Sequence, residues 1–80
     1  MNLSEALVDV THARDVLERI IQMGCIKYEV ARLADVHPKK RHEALKYLDS
    51  LGAFEFRYAV VRVAEEFGIS RVTVYNAIRP

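Results

Sequence analysis

The chain has no tryptophan, one cysteine, two prolines and three glycines in 80 residues. Each shortage excludes something. Cys25 has no internal partner, so a disulfide framework is ruled out, and no Cys/His spacing resembles a zinc site. Cys25 is expected to be a small buried apolar residue in a reduced setting. So few glycines and prolines cannot supply the turns of a sandwich or small barrel. No apolar run nears the ~20 residues that span a bilayer. Met1 to Val10 includes Glu5 and Asp9 and has no basic stretch, so it does not read as a secretory signal. A cytoplasmic, nucleoid-associated location is the expectation, with no membrane partner, no cofactor, no small-molecule ligand and no bound metal.

What is present favours helix. Hydrophobic residues make up 51% of the chain, and Ala, Leu, Val, Glu, Arg and Lys dominate. The expected fold is all-α: residues 1–80 form one small helical bundle. The net charge is only +1, but it is unevenly spread. Residues 1–35 carry four basic and six acidic side chains, and residues 36–80 carry eight basic and five acidic. From Phe67 to Pro80 there are two arginines and no acid. An acid-poor end of this kind suits a phosphate-bearing partner.

Apolar residues at Leu3, Ala6, Val10, Ala13, Leu17 and Ile20 step by three and four, and Leu7, Val16 and Ile21 widen the stripe. This predicts a first helix within residues 1–23, starting near Ser4 or after Thr11, with Gly24 as its stop. The near-heptad register from Leu3 to Ile21 suits either a homodimer seam or the chain's own core. Val30, Leu33 and Ala34 predict a short helix in Lys27–Asp35. Pro38 suits the first turn of another helix, Pro38–Leu51, which buries Ala44, Leu45, Leu48 and Leu51 and ends at Gly52. Lys39, Lys40 and Arg41 then occupy that first turn, where cations oppose the helix dipole. A phosphate contact explains them as well as a solvated face does. Ala53–Arg57 alternates apolar and polar, as an extended connector or a single strand would.

The stretch from Val60 to Ile78 has the spacing of a helix-turn-helix, within a segment running from Tyr58 to Pro80. Ala64 is the small residue that lets two helices approach, and Gly68, four positions on, tolerates the turn. Val60, Val63, Phe67, Ile69, Val74 and Ile78 are spaced to pin both helices, and Ser70 is placed to cap the second. Ser70, Arg71, Val72, Thr73, Tyr75, Asn76 and Arg79 remain outside the apolar set. The N-terminal part of a second helix of this kind can enter the major groove of double-stranded DNA. Arg71 matches guanine or phosphate, Asn76 matches adenine, and Thr73 and Tyr75 can reach phosphate. Ser70 and the N–H groups beside it form a phosphate seat.

Gly52-Ala53-Phe54, Ala59-Val60, Val63-Ala64-Glu65-Glu66, Gly68-Ile69-Ser70-Arg71 and Thr73-Val74-Tyr75-Asn76 together resemble the C-terminal domain of the YheO-like regulators. Leu48-Asp49-Ser50-Leu51-Gly52-Ala53-Phe54 matches that family's "LD..GAF" lead-in, and the likeness covers about Asp15 to Ile78. Tyr58 stands where the family commonly has glycine. The resemblance implies a transcriptional regulator with Arg71, Thr73, Tyr75 and Asn76 near DNA. Family members usually add a PAS-like sensor domain, and no segment here corresponds to one, so ligand regulation does not carry over. Gly68-Ile69-Ser70-Arg71 followed by Thr73-Val74-Tyr75 also occurs in recombinase and transposase DNA-binding domains.

Two other readings compete. A winged helix would use Val30–Val36, a helix from Lys39 to Leu51 and an Ala53–Arg57 strand, with Lys39, Lys40, Arg41 and His42 as readers. A protein-interaction module would use the first helix for assembly and keep the helix-turn-helix purely structural. His12, His37 and His42 have no nucleophile or metal-ligand spacing nearby, which argues against an enzyme.

Overall fold

The computed structural model describes the backbone of residues 3–79 and the side chains of residues 14–79. Four helices follow one another: α1 (Leu3–Lys27), α2 (Pro38–Ser50), α3 (Ala59–Phe67) and α4 (Arg71–Ile78). Two 3-10 turns, Leu33–Asp35 and Ala53–Glu55, join them, and no strand occurs among the described residues. The fold is all-α, as the composition requires.

Gly24 does not stop α1. The helix runs three residues past it. A Cβ on Gly24 would lie 2.9 Å from Leu48 Cδ2 and 3.3 Å from Leu33 Cδ2, and both leucines are fully buried. Gly24 is therefore a point of close contact between α1 and the Leu48 and Leu33 side chains, and its missing side chain is what permits the approach. The helix ends instead on Glu29, whose φ of 54° puts it in the left-handed region. There Glu29 N–H donates to Ile26 O and Val30 N–H to Cys25 O, which is a Schellman closure with glutamate in glycine's usual place. Gly24→Ala pits a helix-propensity gain of ~1 kcal/mol against an overpacking cost of ~1–3 kcal/mol. The expected result is a net loss of stability up to about 2 kcal/mol, measured by urea unfolding; a clear gain would show that the contact is slack.

The structure corrects two other segments. Val30–Asp35 forms only the 3-10 turn Leu33–Asp35, which buries Leu33 while Ala34 stays exposed. Ala53–Arg57 is not extended: it forms the turn Ala53–Glu55, with Phe54 and Phe56 both half-buried against the core. Ala53 itself is fully buried. A segment that must place three neighbouring apolar groups against one core cannot keep an alternating strand geometry. Without that strand or the Val30–Val36 helix, the winged-helix arrangement does not form.

α2 follows its pattern. Pro38 takes its first turn, Ala44, Leu45 and Leu48 are buried, Leu51 is half-buried, and Gly52 (φ 87°) ends the helix. His37 caps it through Nδ1, which accepts from Lys39 N–H at 3.1 Å. The core gathers Leu17, Ile20 and Ile21 of α1, Leu33, Val36, the three α2 residues, Ala53, and the inner faces of α3 and α4. The expected Leu3–Ile21 seam is thus divided. Leu17, Ile20 and Ile21 pack into this chain's own core, whereas the side chains of Leu3, Ala6, Leu7, Val10 and Ala13 lie outside the described residues. Cys25 is half-buried rather than buried, and burial is the main cause of its raised thiol pKa, ahead of the nearby Glu66 and Asp35.

Candidate nucleic-acid interface

α3 and α4 form the pair of helices that the Val60–Ile78 spacing calls for. Gly68 adopts φ 70°, with its N–H on Glu65 O, and Ile69 N–H donates to Ala64 O at 3.0 Å. This Schellman closure turns the chain sharply and tucks Ile69 partly under α3. Nothing lies within 4 Å of a Cβ on Gly68, so the positive φ, not crowding, is what asks for glycine there. Val63, Ala64 and Phe67 are buried on α3, and Val74 and Ala77 on α4. Ala77 is a pin that apolar strength alone does not reveal; only its three-residue offset from Val74 places it inward. Val60 and Ile78 are half-buried.

Ser70 caps α4. Its Oγ accepts from Thr73 N–H at 3.2 Å and sits 2.9 Å from Thr73 Oγ1. If Ser70 donates in the hydroxyl pair, the Thr73 proton points elsewhere, and an incoming acceptor can take it. Ser70→Ala removes the cap from an eight-residue helix. The expected cost is ~1 kcal/mol of stability, read as a lower urea midpoint, with Ser70→Asp restoring most of it.

The residues that the spacing left outside the apolar set lie on the solvent side of α4. Ser70, Arg71, Val72, Thr73, Tyr75, Asn76 and Arg79 are all exposed, with Val72 at 66% and Tyr75 at 53%. No acid lies on α4, and none lies in its first turn. The arrangement joins two guanidiniums, a carboxamide, two hydroxyls and a phenol on one surface at the Ser70-capped end of α4 and along its outer side, a set suited to phosphates and base edges.

Lys39 and Lys40 are exposed in the first turn of α2, and Arg41 is half-buried. α2 packs on α4, so both belong to one body. No hydrogen bond or ion pair among the described residues links them to the α4 face.

Arg62 is the one basic residue of α3, and it is already committed. Its Nε donates to Glu18 Oε1 at 2.7 Å, Nη2 to Glu18 Oε2 at 3.0 Å, and Nη1 to Glu66 Oε1. The hydrogen bonds it donates to Glu18 and then to Glu66 raise its pKa, outweighing partial desolvation. This clasp fixes α1 to α3. The i,i+4 half, Arg62–Glu66, follows from helical spacing; the Glu18 half spans 44 residues and has no sequence signature. Sequence reasoning also passed over Arg57 and Tyr58 just before α3. Tyr58 is 70% exposed, and the Arg57 guanidinium lies 5.7 Å from its ring centroid. Between the end of α1 and α2, Tyr28 donates to Glu43 Oε2 at 3.0 Å, and burial followed by that hydrogen bond pushes its pKa up to about 12.

Among the described residues no group of three His, Cys, Asp or Glu could hold a metal ion, and no helix is long and apolar enough to cross a membrane. A family profile described as an HTH domain matches residues 16–79. No curated protein and no solved structure matches the chain. That profile spans α1 from its first described core residues through all of α4, so the chain belongs to the helix-turn-helix (HTH) domain family.

Proposed function

We propose that this chain binds duplex DNA sequence-specifically as the DNA-binding domain of a transcriptional regulator of the YheO-like kind, and that it carries no catalysis. The observation that carries the reading is the outward face of α4: capped by Ser70, free of acids, and lined by Arg71, Val72, Thr73, Tyr75, Asn76 and Arg79, while Val74 and Ala77 pin the helix from behind. In this reading α4 lies in the major groove. Arg71 and Asn76 read base edges, and Ser70, Thr73, Tyr75 and Arg79 position the helix on phosphates. Lys39, Lys40 and Arg41 add phosphate contacts from α2. The regulator acts as a homodimer, with two α4 helices entering successive major grooves ~34 Å apart on a pseudo-palindrome.

The test is a titration of the chain on duplex DNA at two salt concentrations. Neutralising several phosphates makes affinity fall steeply with salt, by roughly 10³-fold or more between 50 and 200 mM if six phosphates are engaged. Equal and undetectable binding at both concentrations would remove the reading. Removing the charges of Lys39 to Arg41 should weaken all sequences uniformly and leave the preferred sequence unchanged.

A further inference from the structure

One feature of the described residues is not used by α4. The outer side of α3 and the adjoining turn of α1 enclose an open groove of about 730 Å³, with Leu17 and Phe56 at its floor and Tyr58, Val61, Arg57 and Arg14 around it. It is mainly apolar. Tyr58, just before α3, is 70% exposed, and Val61 on α3 is 39% exposed, so both present apolar surface side by side on the groove. The charges are informative too. Glu18 and Arg62, also on its wall, are paired with each other, and Arg62 with Glu66. Among the described residues, the remaining charged groups on the wall are Arg14, Arg57 and Glu65, two cations and one acid, and no ion pair joins any of them to another described residue.

The chain contains a segment of complementary chemistry. Residues 1–13 hold Leu3, Ala6, Leu7, Val10 and Ala13 at helical spacing, and their charged residues are Glu5 and Asp9, with no lysine or arginine. That apolar stripe leads directly into Leu17, which is buried in its own core and forms part of the groove. We propose that the groove between α1 and α3 is the seat for the first thirteen residues of a second copy of this chain, each copy laying its acidic, apolar α1 segment across the other's groove. This rests on the homodimer of the proposed function and changes its geometry. The contact is a reciprocal exchange, not a seam along the whole of Leu3–Ile21, because Leu17, Ile20 and Ile21 are already buried within each copy. A two-fold axis makes the two contacts identical and doubles the area that one groove buries. The Arg62–Glu18 ion pair links the α1 and α3 walls of the groove.

The test uses the full chain in sedimentation equilibrium, beside a titration on a DNA half-site. The wild-type chain is expected to dimerise. Val61→Glu places a charge on the apolar wall and should raise the dimer dissociation constant at least tenfold. Arg14→Glu with Arg57→Glu, and separately Glu5→Lys with Asp9→Lys, should each weaken the dimer; all four changes together should restore it. Circular dichroism and half-site affinity serve as folding controls, and Val61→Glu should leave both unchanged, because Val61 lies off the α4 face. A wild-type chain that stays monomeric overturns the proposal and leaves the groove to a different partner. A dimer that survives Val61→Glu, or a fourfold variant that is not restored, overturns it equally. Loss of half-site binding by the wild-type chain is a separate result, and it counts against the DNA reading, not against the groove.

Discussion

Leu48→Ala is expected to lose a large fraction of the chain's stability, ~2–5 kcal/mol, and to unfold at a clearly lower urea concentration than the wild type. Leu48 is fully buried, and its Cδ2 would lie 2.9 Å from a Cβ on Gly24. Truncating a buried leucine costs ~2–5 kcal/mol, the upper end applying where neighbours cannot close the void. Gly24 has no side chain to move in, and the neighbouring Leu33 is itself fully buried. A domain of this size has a total stability of roughly 4–12 kcal/mol, so one truncation removes a large fraction of it. Urea unfolding followed by far-ultraviolet circular dichroism measures the loss. Leu51→Ala is the comparison: Leu51 is half-buried at the end of α2, and its loss should cost clearly less. A Leu48→Ala chain within ~0.5 kcal/mol of wild type, the range of a surface substitution, would mean that the α1–α2 contact contributes little. The pair Gly24→Ala with Leu48→Ala gives a sharper version. A methyl at position 24 partly fills the void left at 48, so the double variant should be more stable than the sum of the two single losses.

The two glycines at the centre of these arguments explain what was legible in the sequence. Gly68 was read correctly as a turn, because its requirement is local: the chain reverses between two helices, and φ must be positive at that residue. Ser70 was legible for the same reason, since a cap and the N–H it serves are three residues apart. The register of Val63, Phe67 and Val74 follows from helical period alone. Gly24 was misread as a stop because glycine at the end of an apolar stripe usually is one. Its actual role depends on Leu48 and Leu33, and no pattern around residue 24 carries that information. Ala53–Arg57 was misread because alternation of apolar and polar residues describes a strand only where a neighbouring strand exists to pair with it, and this chain has none among its described residues. The Glu18–Arg62 clasp and the groove beside it are likewise tertiary. The positions on α4 were legible because they were defined by exclusion: once Val74 and Ile78 face the core, Arg71, Thr73, Tyr75 and Asn76 have only solvent or a ligand to meet.

Arg71→Ala and Asn76→Ala test that exclusion at the level of function. Both side chains are exposed, and neither makes a hydrogen bond among the described residues, so each substitution should change stability by less than ~0.5 kcal/mol. The effect should appear only against DNA. A guanidinium that grips guanine through two hydrogen bonds, or a carboxamide that does the same for adenine, is worth ~1–3 kcal/mol against the wrong base. Each substitution should therefore lower affinity for the preferred site by roughly 5- to 150-fold and flatten the preference at one base position. The preferred site comes from selection of bound duplexes from a random pool, and the same selection repeated on each variant reads the change. Lys39→Ala provides the contrast. It should lower affinity for every sequence by a similar factor and reduce the salt slope by about one, leaving the selected site as it was. The two patterns separate base reading from phosphate contact. Should Arg71→Ala and Asn76→Ala both return the wild-type site with wild-type discrimination, the face of α4 does not read bases, and the exposed set from Ser70 to Arg79 serves phosphate contact alone.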